Sequence, residues 1–131
     1  MTEAGPHPEE SIFSVETLLK YMGNDAKALA IVAKIVADAC APGMAPIELA
    51  GAALREQRLA DAGKIFHSVR GSIGTLGAKR LVGASMALEQ AIAAARADDI
   101  PPLFATLESE YRLVLRDATA WLARHAPPSA G

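Results

Sequence analysis

The positions of the prolines constrain the fold of this chain more than any other feature. The eight prolines form four groups, one near each end, one around residues 42–46 and one at 101–102. Because proline continues neither a helix nor a central strand, long regular elements must lie between these groups. In those intervals apolar residues recur every three or four positions, and no Asn-Gly or Asp-Gly hairpin signal is present. The pattern predicts an all-α protein.

Five helical segments fit between the breaks, with Ser14 and Asp25 as N-caps of the first two. They are expected at about 14–22, 25–56 with an interruption near 42–43, 59–73, 78–97 and 103–124. Four longer helices joined by short loops favour an antiparallel four-helix bundle with an additional short N-terminal helix. We expect a helical domain over residues 12–125, with flexible tails at 1–11 and 126–131. The predicted core positions of the fourth segment are Leu81, Met86, Leu88 and Ile92. In the second segment, Ile31 widens the apolar stripe and Leu49 is one of the apolar residues after the interruption.

Composition and charge exclude several classes of function. A net charge of −2 without a Lys/Arg cluster argues against nucleic-acid binding. The single cysteine, Cys40, excludes an internal disulfide, and His7 and His125 lack metal-ligand spacing to His67, so no metal site is expected. The N-terminus lacks the basic start and the apolar run of a signal peptide. The apolar stretch 26–41 is interrupted by charged residues and is too short to span a bilayer. We therefore expect a cytoplasmic protein without membrane association, and a monomer.

The segment 59–76 carries the candidate chemistry. Its apolar stripe follows helical spacing and predicts one buried face, formed by Leu59, Ala62, Phe66, Val69, Ile73 and Leu76. His67 points away from that stripe. The neighbours that share its helix face are Gly63, Lys64, Arg70, Gly71 and Gly74.

Three glycines around one histidine suggest that something approaches the imidazole closely, because each glycine inside a helix costs up to roughly 1 kcal/mol relative to alanine. A neutral imidazole is a good nucleophile near pH 7. Arg70, one turn further on, offsets negative charge on a transferring group. The arrangement suits acceptance of a phosphoryl group. Each residue also has an ordinary interpretation, since His67 and Arg70 are typical surface residues and Gly74 lies near a helix end.

The run from His67 to Leu81, continuing to Leu88 and Glu89, resembles the signature of bacterial histidine-containing phosphotransfer (HPt) domains. That pattern is a histidine followed by Lys or Arg at three, glycine at four, a small residue at seven and glycine at ten positions further on, with a Leu-Glu or Leu-Gln step in the next helix. Every position is met, with Arg70 where lysine is commoner. The resemblance extends from about Phe13 to Leu122, and the break at 41–45 is similar to an irregular stretch in the second helix of that family.

The resemblance implies that His67 accepts a phosphoryl group from the aspartyl phosphate of one receiver domain and passes it to another. Arg70 would lie against the phosphoryl oxygens. Glu89 would hydrogen-bond the far ring nitrogen, fix the tautomer and leave the other nitrogen free to attack. Gly71 and Gly74 would keep the docking face open.

Three further residues are assigned to binding. Lys64 and Lys79 would steer an acidic receiver surface, and Ser68 lies beside His67 without a partner that would make it a nucleophile. The expected partners are response-regulator receiver domains and a hybrid sensor kinase. Mg²⁺ would come from the receiver, and the chain itself would need no cofactor.

Two other functions stay open at the level of sequence. The first is a helical interaction module that binds a receiver or kinase without phosphotransfer. The second is a general-base enzyme using His67, which is disfavoured because no carboxylate pair or second nucleophile accompanies it. As a phosphotransfer protein the chain would be a phosphoryl carrier without independent turnover.

Overall fold

The computed structural model describes residues 11–125, and it confirms the all-α prediction. These residues form six α-helices and one short 3-10 helix. The α-helices are α1 (Glu16–Tyr21), α2 (Ala26–Cys40), α3 (Ala45–Arg55), α4 (Leu59–Gly74), α5 (Lys79–Ala93) and α6 (Ile100–His125), and the 3-10 helix is Ala97–Asp99. Apart from Ser11, the predicted tails at 1–11 and 126–131 lie outside the described residues.

The helices pack around one core. Helix α4 packs against α3 and α5, α5 packs against α6, and α6 packs against α2. Helices α2 and α3, which the sequence predicted as one interrupted helix, are separated by a turn at residues 41–44. The Tyr111 hydroxyl on α6 donates to the Gly43 carbonyl at 2.9 Å and so ties this turn to α6.

The core is lined by many small side chains. Large residues such as Phe66, Leu107 and Tyr111 are buried together with alanines from five of the helices, which are Ala28, Ala33, Ala50, Ala53, Ala62, Ala84, Ala91 and Ala118. The core therefore combines small side chains with a smaller number of large ones.

Leu81 and Leu88 are buried as predicted, whereas the predicted core position of Met86 is wrong, and Ile31 and Leu49 of the apolar stripes also lie outside the core. The exposed fractions are 40% for Ile31, 63% for Leu49 and 44% for Met86. In α2, α3 and α5 the core-facing positions nearby belong to Ala33, Ala50 and other small residues. The apolar stripe was correctly located on each helix, but it is wider than the buried face.

Several helix ends differ from the sequence-based prediction. Asp25 caps α2 as predicted, accepting a hydrogen bond from the Ala28 amide at 2.8 Å. Val15 and not Ser14 is the N-cap of α1. Helix α5 ends at Ala93, short of residue 97, because the chain turns through a positive φ of 56° at Ala95. Helix α6 starts at Ile100 and includes both prolines in its first turn, where proline's missing N–H is tolerated.

The N-terminal segment holds the turn between α4 and α5. The Ser14 amide donates to the Leu76 carbonyl at 2.8 Å, and the Arg80 amide donates to the Ser11 carbonyl at 3.2 Å. The Ser11 hydroxyl donates to the carbonyl of Gly77. Gly77 has a φ of +70°, and a Cβ atom there would overlap the Ser14 carbonyl oxygen. Only glycine fits this position.

One stretch of the described chain, Ala26–Arg55, is long and apolar enough to cross a membrane by length and composition alone. Core helices of soluble proteins meet the same criterion. The stretch comprises α2, the turn at 41–44 and α3, and it carries the charged residues Lys27, Lys34 and Asp38. It is weak evidence for a membrane span.

Candidate functional site

His67 lies in the middle of α4 on the face opposite the core. The predicted stripe is confirmed, since Ala62, Phe66, Val69 and Ile73 are all buried. The side chain of His67 is 72% exposed. The amphipathic pattern of α4 thus presents the imidazole to solvent while the other face fixes the helix in the bundle.

Arg70 and Glu89 lie directly beside the imidazole. Arg70 forms a bidentate pair with Glu89 across the α4–α5 contact, with Nε–Oε2 at 2.9 Å and Nη2–Oε1 at 3.0 Å. The same Nη2 lies 2.8 Å from Nδ1 of His67. Glu89 Oε1 is 3.6 Å from Nδ1, beyond hydrogen-bonding distance. The structure therefore brings the three predicted residues together, with Arg70 between the ring and the carboxylate.

Ser85 contacts the Glu89 carboxylate from the buried side of α5, and the sequence analysis did not identify it. Its hydroxyl lies 2.9 Å from Glu89 Oε2 and 3.1 Å from the Phe66 carbonyl, and its side chain is fully buried. Because a hydroxyl has one hydrogen, the two acceptors share it. The available signal was a serine on the buried face of a helix, one turn before a glutamate. Ser85 links the backbone of α4 to the carboxylate on α5.

The electrostatics of the site favour an ionised Glu89. Hydrogen bonding from Arg70 holds the pKa of Glu89 below its usual value of 4.5, and the Ser85 hydroxyl adds to this effect. Partial burial opposes it, because desolvation disfavours the charged form. The side chain of Glu89 is only 20% exposed. At neutral pH the site holds a carboxylate and a guanidinium next to the imidazole.

The glycines around His67 fall into two groups. A Cβ atom at Gly63 or Gly71 would meet nothing within 4 Å, so these positions leave the surface beside the ring bare. At Gly74 a Cβ would lie 3.0 Å from Cγ2 of Val82 on α5. The absence of a side chain there serves the packing of α4 against α5, whereas its predicted role in docking stays a prediction.

The remaining predicted binding residues lie on α4 and at the start of α5. Lys64 and Ser68 are exposed on α4, and Lys79 is exposed at the start of α5. Ser68 also lines a shallow apolar groove between α3 and α4, together with Pro46 and the exposed Leu49. The groove lies on α4 next to His67, so the imidazole has an apolar neighbour surface on its α3 side.

Among residues 11–125, no group of three or more His, Cys, Asp or Glu side chains is arranged to hold a metal ion. His125 lies at the end of α6, stacked on Trp121 with ring centroids 4.9 Å apart, and its Nδ1 contacts the Trp121 carbonyl at 3.1 Å. It is thus occupied by a local contact on another helix.

Comparison with known proteins agrees with this geometry. The family model of the Hpt domain matches residues 34–120, a region that includes His67, Arg70 and Glu89 and extends over most of the bundle. No curated protein and no solved structure gives a significant match. The match covers well over half of the chain, and the chain therefore belongs to the Hpt domain family.

Proposed function

We propose that this protein is a histidine phosphotransfer protein that accepts a phosphoryl group from a receiver-domain aspartate onto His67 and passes it to a second receiver. Membership of the Hpt family indicates phosphotransfer in two-component signalling. The observation that carries the proposal is an imidazole 72% exposed on a helix face, with a guanidinium nitrogen 2.8 Å from the ring and bare glycine positions on either side.

The residues fit the chemistry of the transfer. The outward ring nitrogen, Nε2, attacks the phosphorus of an acyl phosphate, the bond from phosphorus to the aspartate oxygen breaks, and the carboxylate leaves with the electron pair. Arg70 is close enough to the ring to meet the equatorial oxygens and offset their charge. Glu89 Oε1 lies 3.6 Å from Nδ1 on the inner side of the ring, and its negative charge stabilises the ring as it becomes positive. Loss of the phosphoryl group to the next receiver reverses these steps.

The surface around His67 suits a protein donor. Gly63 and Gly71 leave room for a backbone or side chain to approach the ring. Leu49, on the α3 side, is 63% exposed and lines the adjacent groove. Large exposed apolar side chains beside a reactive group are typical of protein interfaces. Lys64 and Lys79 add positive charge that complements the acidic surface around a receiver's aspartate.

The wider assignment follows from this role. The partners are response-regulator receiver domains and a hybrid sensor kinase, and the protein works in the cytoplasm as a monomeric carrier without independent turnover. Mg²⁺ is supplied by the receiver. The packing order of the helices supports an antiparallel four-helix bundle in which α2 and α3 together form one wall, with α1 as the additional short helix.

The test is incubation of the protein with a receiver domain carrying radiolabelled phosphate. We expect acid-labile, alkali-stable label on the wild-type chain and none on His67→Gln. His125→Gln, a matched change of a histidine on another helix, is expected to keep the label. A chain that stays unlabelled yet binds the receiver would contradict phosphotransfer and would support the non-catalytic interaction module instead.

A further inference from the structure

The contact between Arg70 and the imidazole fixes which ring nitrogen carries the proton. Nη2 of Arg70 lies 2.8 Å from Nδ1 of His67. A guanidinium has five N–H donors and no acceptor, so Nδ1 must accept this hydrogen bond with its lone pair. In the neutral ring the proton is then on Nε2. The second hydrogen of Nη2 is directed to Glu89 Oε1 at 3.0 Å, so the arrangement uses both hydrogens of that nitrogen.

This tautomer cannot react. Attack on phosphorus needs a lone pair in the ring plane on the outward nitrogen, and in the resting arrangement that nitrogen carries a hydrogen. The lone pair of Nδ1 is available but is covered by Arg70. Neither nitrogen of His67 is therefore a free nucleophile while Arg70 stays where it is.

The alternative proton acceptor is already in place. Oε1 of Glu89 is 3.6 Å from Nδ1, which is too far for a hydrogen bond but leaves only a small movement to make one. The Ser85 hydroxyl, 2.9 Å from Oε2, shares its one hydrogen between that oxygen and the Phe66 carbonyl, and this contact to the carboxylate does not involve Arg70. When Arg70 leaves, Glu89 stays in position and can accept a proton from Nδ1.

We propose that Arg70 is a positioning residue that holds His67 in the unreactive Nε2–H tautomer until an incoming phosphoryl group draws the guanidinium away from Glu89 and Nδ1. The resting tautomer is inferred from the geometry alone. The displacement of Arg70 by a phosphoryl group rests also on the proposed function. Phosphoryl oxygens compete for Arg70 because they offer a planar guanidinium the same two-point contact with more negative charge than a carboxylate.

The exchange balances in protons and charge. As Arg70 moves to the phosphoryl oxygens, the proton on Nε2 passes to solvent, which reaches the exposed ring, and Nδ1 takes up a proton that it shares with Glu89. The freed Nε2 lone pair forms the bond to phosphorus, and the bond to the aspartate oxygen breaks. The ring is thereby activated only where a phosphoryl donor is present.

The resting half is tested by ¹⁵N NMR of His67 at a pH where the ring is neutral. The nitrogen shifts and their couplings to the ring hydrogens distinguish the two tautomers. Three proteins are compared: wild type, Arg70→Met, and Arg70→Met combined with Glu89→Ala, which gives the tautomer ratio of the ring without either neighbour. We expect a larger fraction of the Nε2–H tautomer in wild type than in the double variant. In Arg70→Met we expect a larger fraction of the Nδ1–H tautomer than in the double variant.

A matched control removes another arginine from an ion pair. Arg112→Met on α6 breaks the exposed pair with Glu108, 3.3 Å apart, and should leave the His67 tautomer as in wild type. A wild-type ring with its proton on Nδ1, or an Arg70→Met ring indistinguishable from wild type, would overturn the proposal.

The exchange half is tested by phosphorylating the protein with phosphoramidate, a small donor that needs no receiver. We expect Nδ1 to become protonated and the Arg70 Nε–H resonance to shift as the guanidinium leaves Glu89. An Arg70 resonance unchanged in the phosphorylated protein would contradict the exchange while supporting the proposed function. A chain that phosphoramidate and a phosphorylated receiver both fail to label would contradict the proposed function and the exchange together, leaving the measured resting tautomer unaffected.

Discussion

The two ends of the histidine motif use glycine for opposite purposes. At Gly63 and Gly71, on either side of His67, an added Cβ would project into open space. At Gly77, after the end of α4, an added Cβ would overlap the backbone of Ser14. The first pair leaves bare the surface on which we propose that a receiver docks, and the last lets two parts of the same molecule come together. Substitution of these glycines can therefore separate the proposed docking from folding.

The largest expected effect is on folding at the turn. Gly77→Ala should lower the free energy of unfolding by about 2–4 kcal/mol, because it combines a positive φ with a backbone clash. Gly43→Ala is the matched control, since Gly43 has a φ of +59° and open space at its Cβ. It should cost about 1–2 kcal/mol from backbone strain alone. Chemical denaturation measures both, and equal losses would show that the Ser14 contact is unimportant.

Gly74→Ala should change the free energy of unfolding less than Gly77→Ala does. In Gly74→Ala the gain in helix propensity, up to about 1 kcal/mol, is opposed by the close contact with Val82, so the free energy of unfolding should change by less than about 1 kcal/mol in either direction. Adding Val82→Ala removes the contact. A double-mutant cycle in urea should then show favourable coupling between the two substitutions, and strict additivity would contradict the packing role of Gly74.

Gly71 should separate stability from function. Gly71→Ala is expected to raise the free energy of unfolding by about 0.5–1 kcal/mol, because alanine is the better helix former and meets no steric conflict. The same substitution should slow transfer from a phosphorylated receiver. Gly83→Ala, on α5 and outside the His67 network, has equally open space and should stabilise without slowing transfer. Unchanged transfer in Gly71→Ala and in the bulkier Gly71→Leu would rule out docking at this position.

The smallest expected effect concerns pH. The pKa of Glu89 is lowered in the folded protein by Arg70, so its contribution to stability is fully present above about pH 4.5 and is lost as the pH falls through the lower, folded value. Urea unfolding at pH 7 and pH 3 should show a smaller acid-induced loss in Glu89→Gln than in wild type. The turn at Gly77 is held by backbone and hydroxyl hydrogen bonds and should not contribute to this difference. Parallel losses in the two proteins would contradict the assigned role of the Arg70–Glu89 pair.

Helical periodicity predicted the two faces of α4 correctly, but it did not predict every exposed apolar residue of the other helices. The burial of Phe66, Val69 and Ile73 and the exposure of His67 follow from helical periodicity, which is a local property. The wrong assignment of Met86 and the exposure of Leu49 have a shared cause. In alanine-rich helices that pack closely, the position of the contact depends on the neighbouring helix, and hydrophobicity alone does not show whether an alanine or an adjacent leucine faces inward.

The contacts within the site were also only partly predictable from the sequence. The motif identified Arg70 and Glu89 as neighbours of His67, but their mutual hydrogen bonds depend on the crossing of α4 and α5 and on side-chain conformation. Ser85 had no motif position to mark it. The prolines at 101–102 correctly indicated that a helix begins in this region. The helix begins at Ile100, before them, because its first turn tolerates proline.

The hydrogen bonds from Ser11 and Ser14 to the turn after α4 have a practical consequence. Because the segment that precedes α1 and the connection between α4 and α5 are joined through Ser11 and Ser14, a shortened version of this domain would have to begin at or before residue 11 to keep that connection closed.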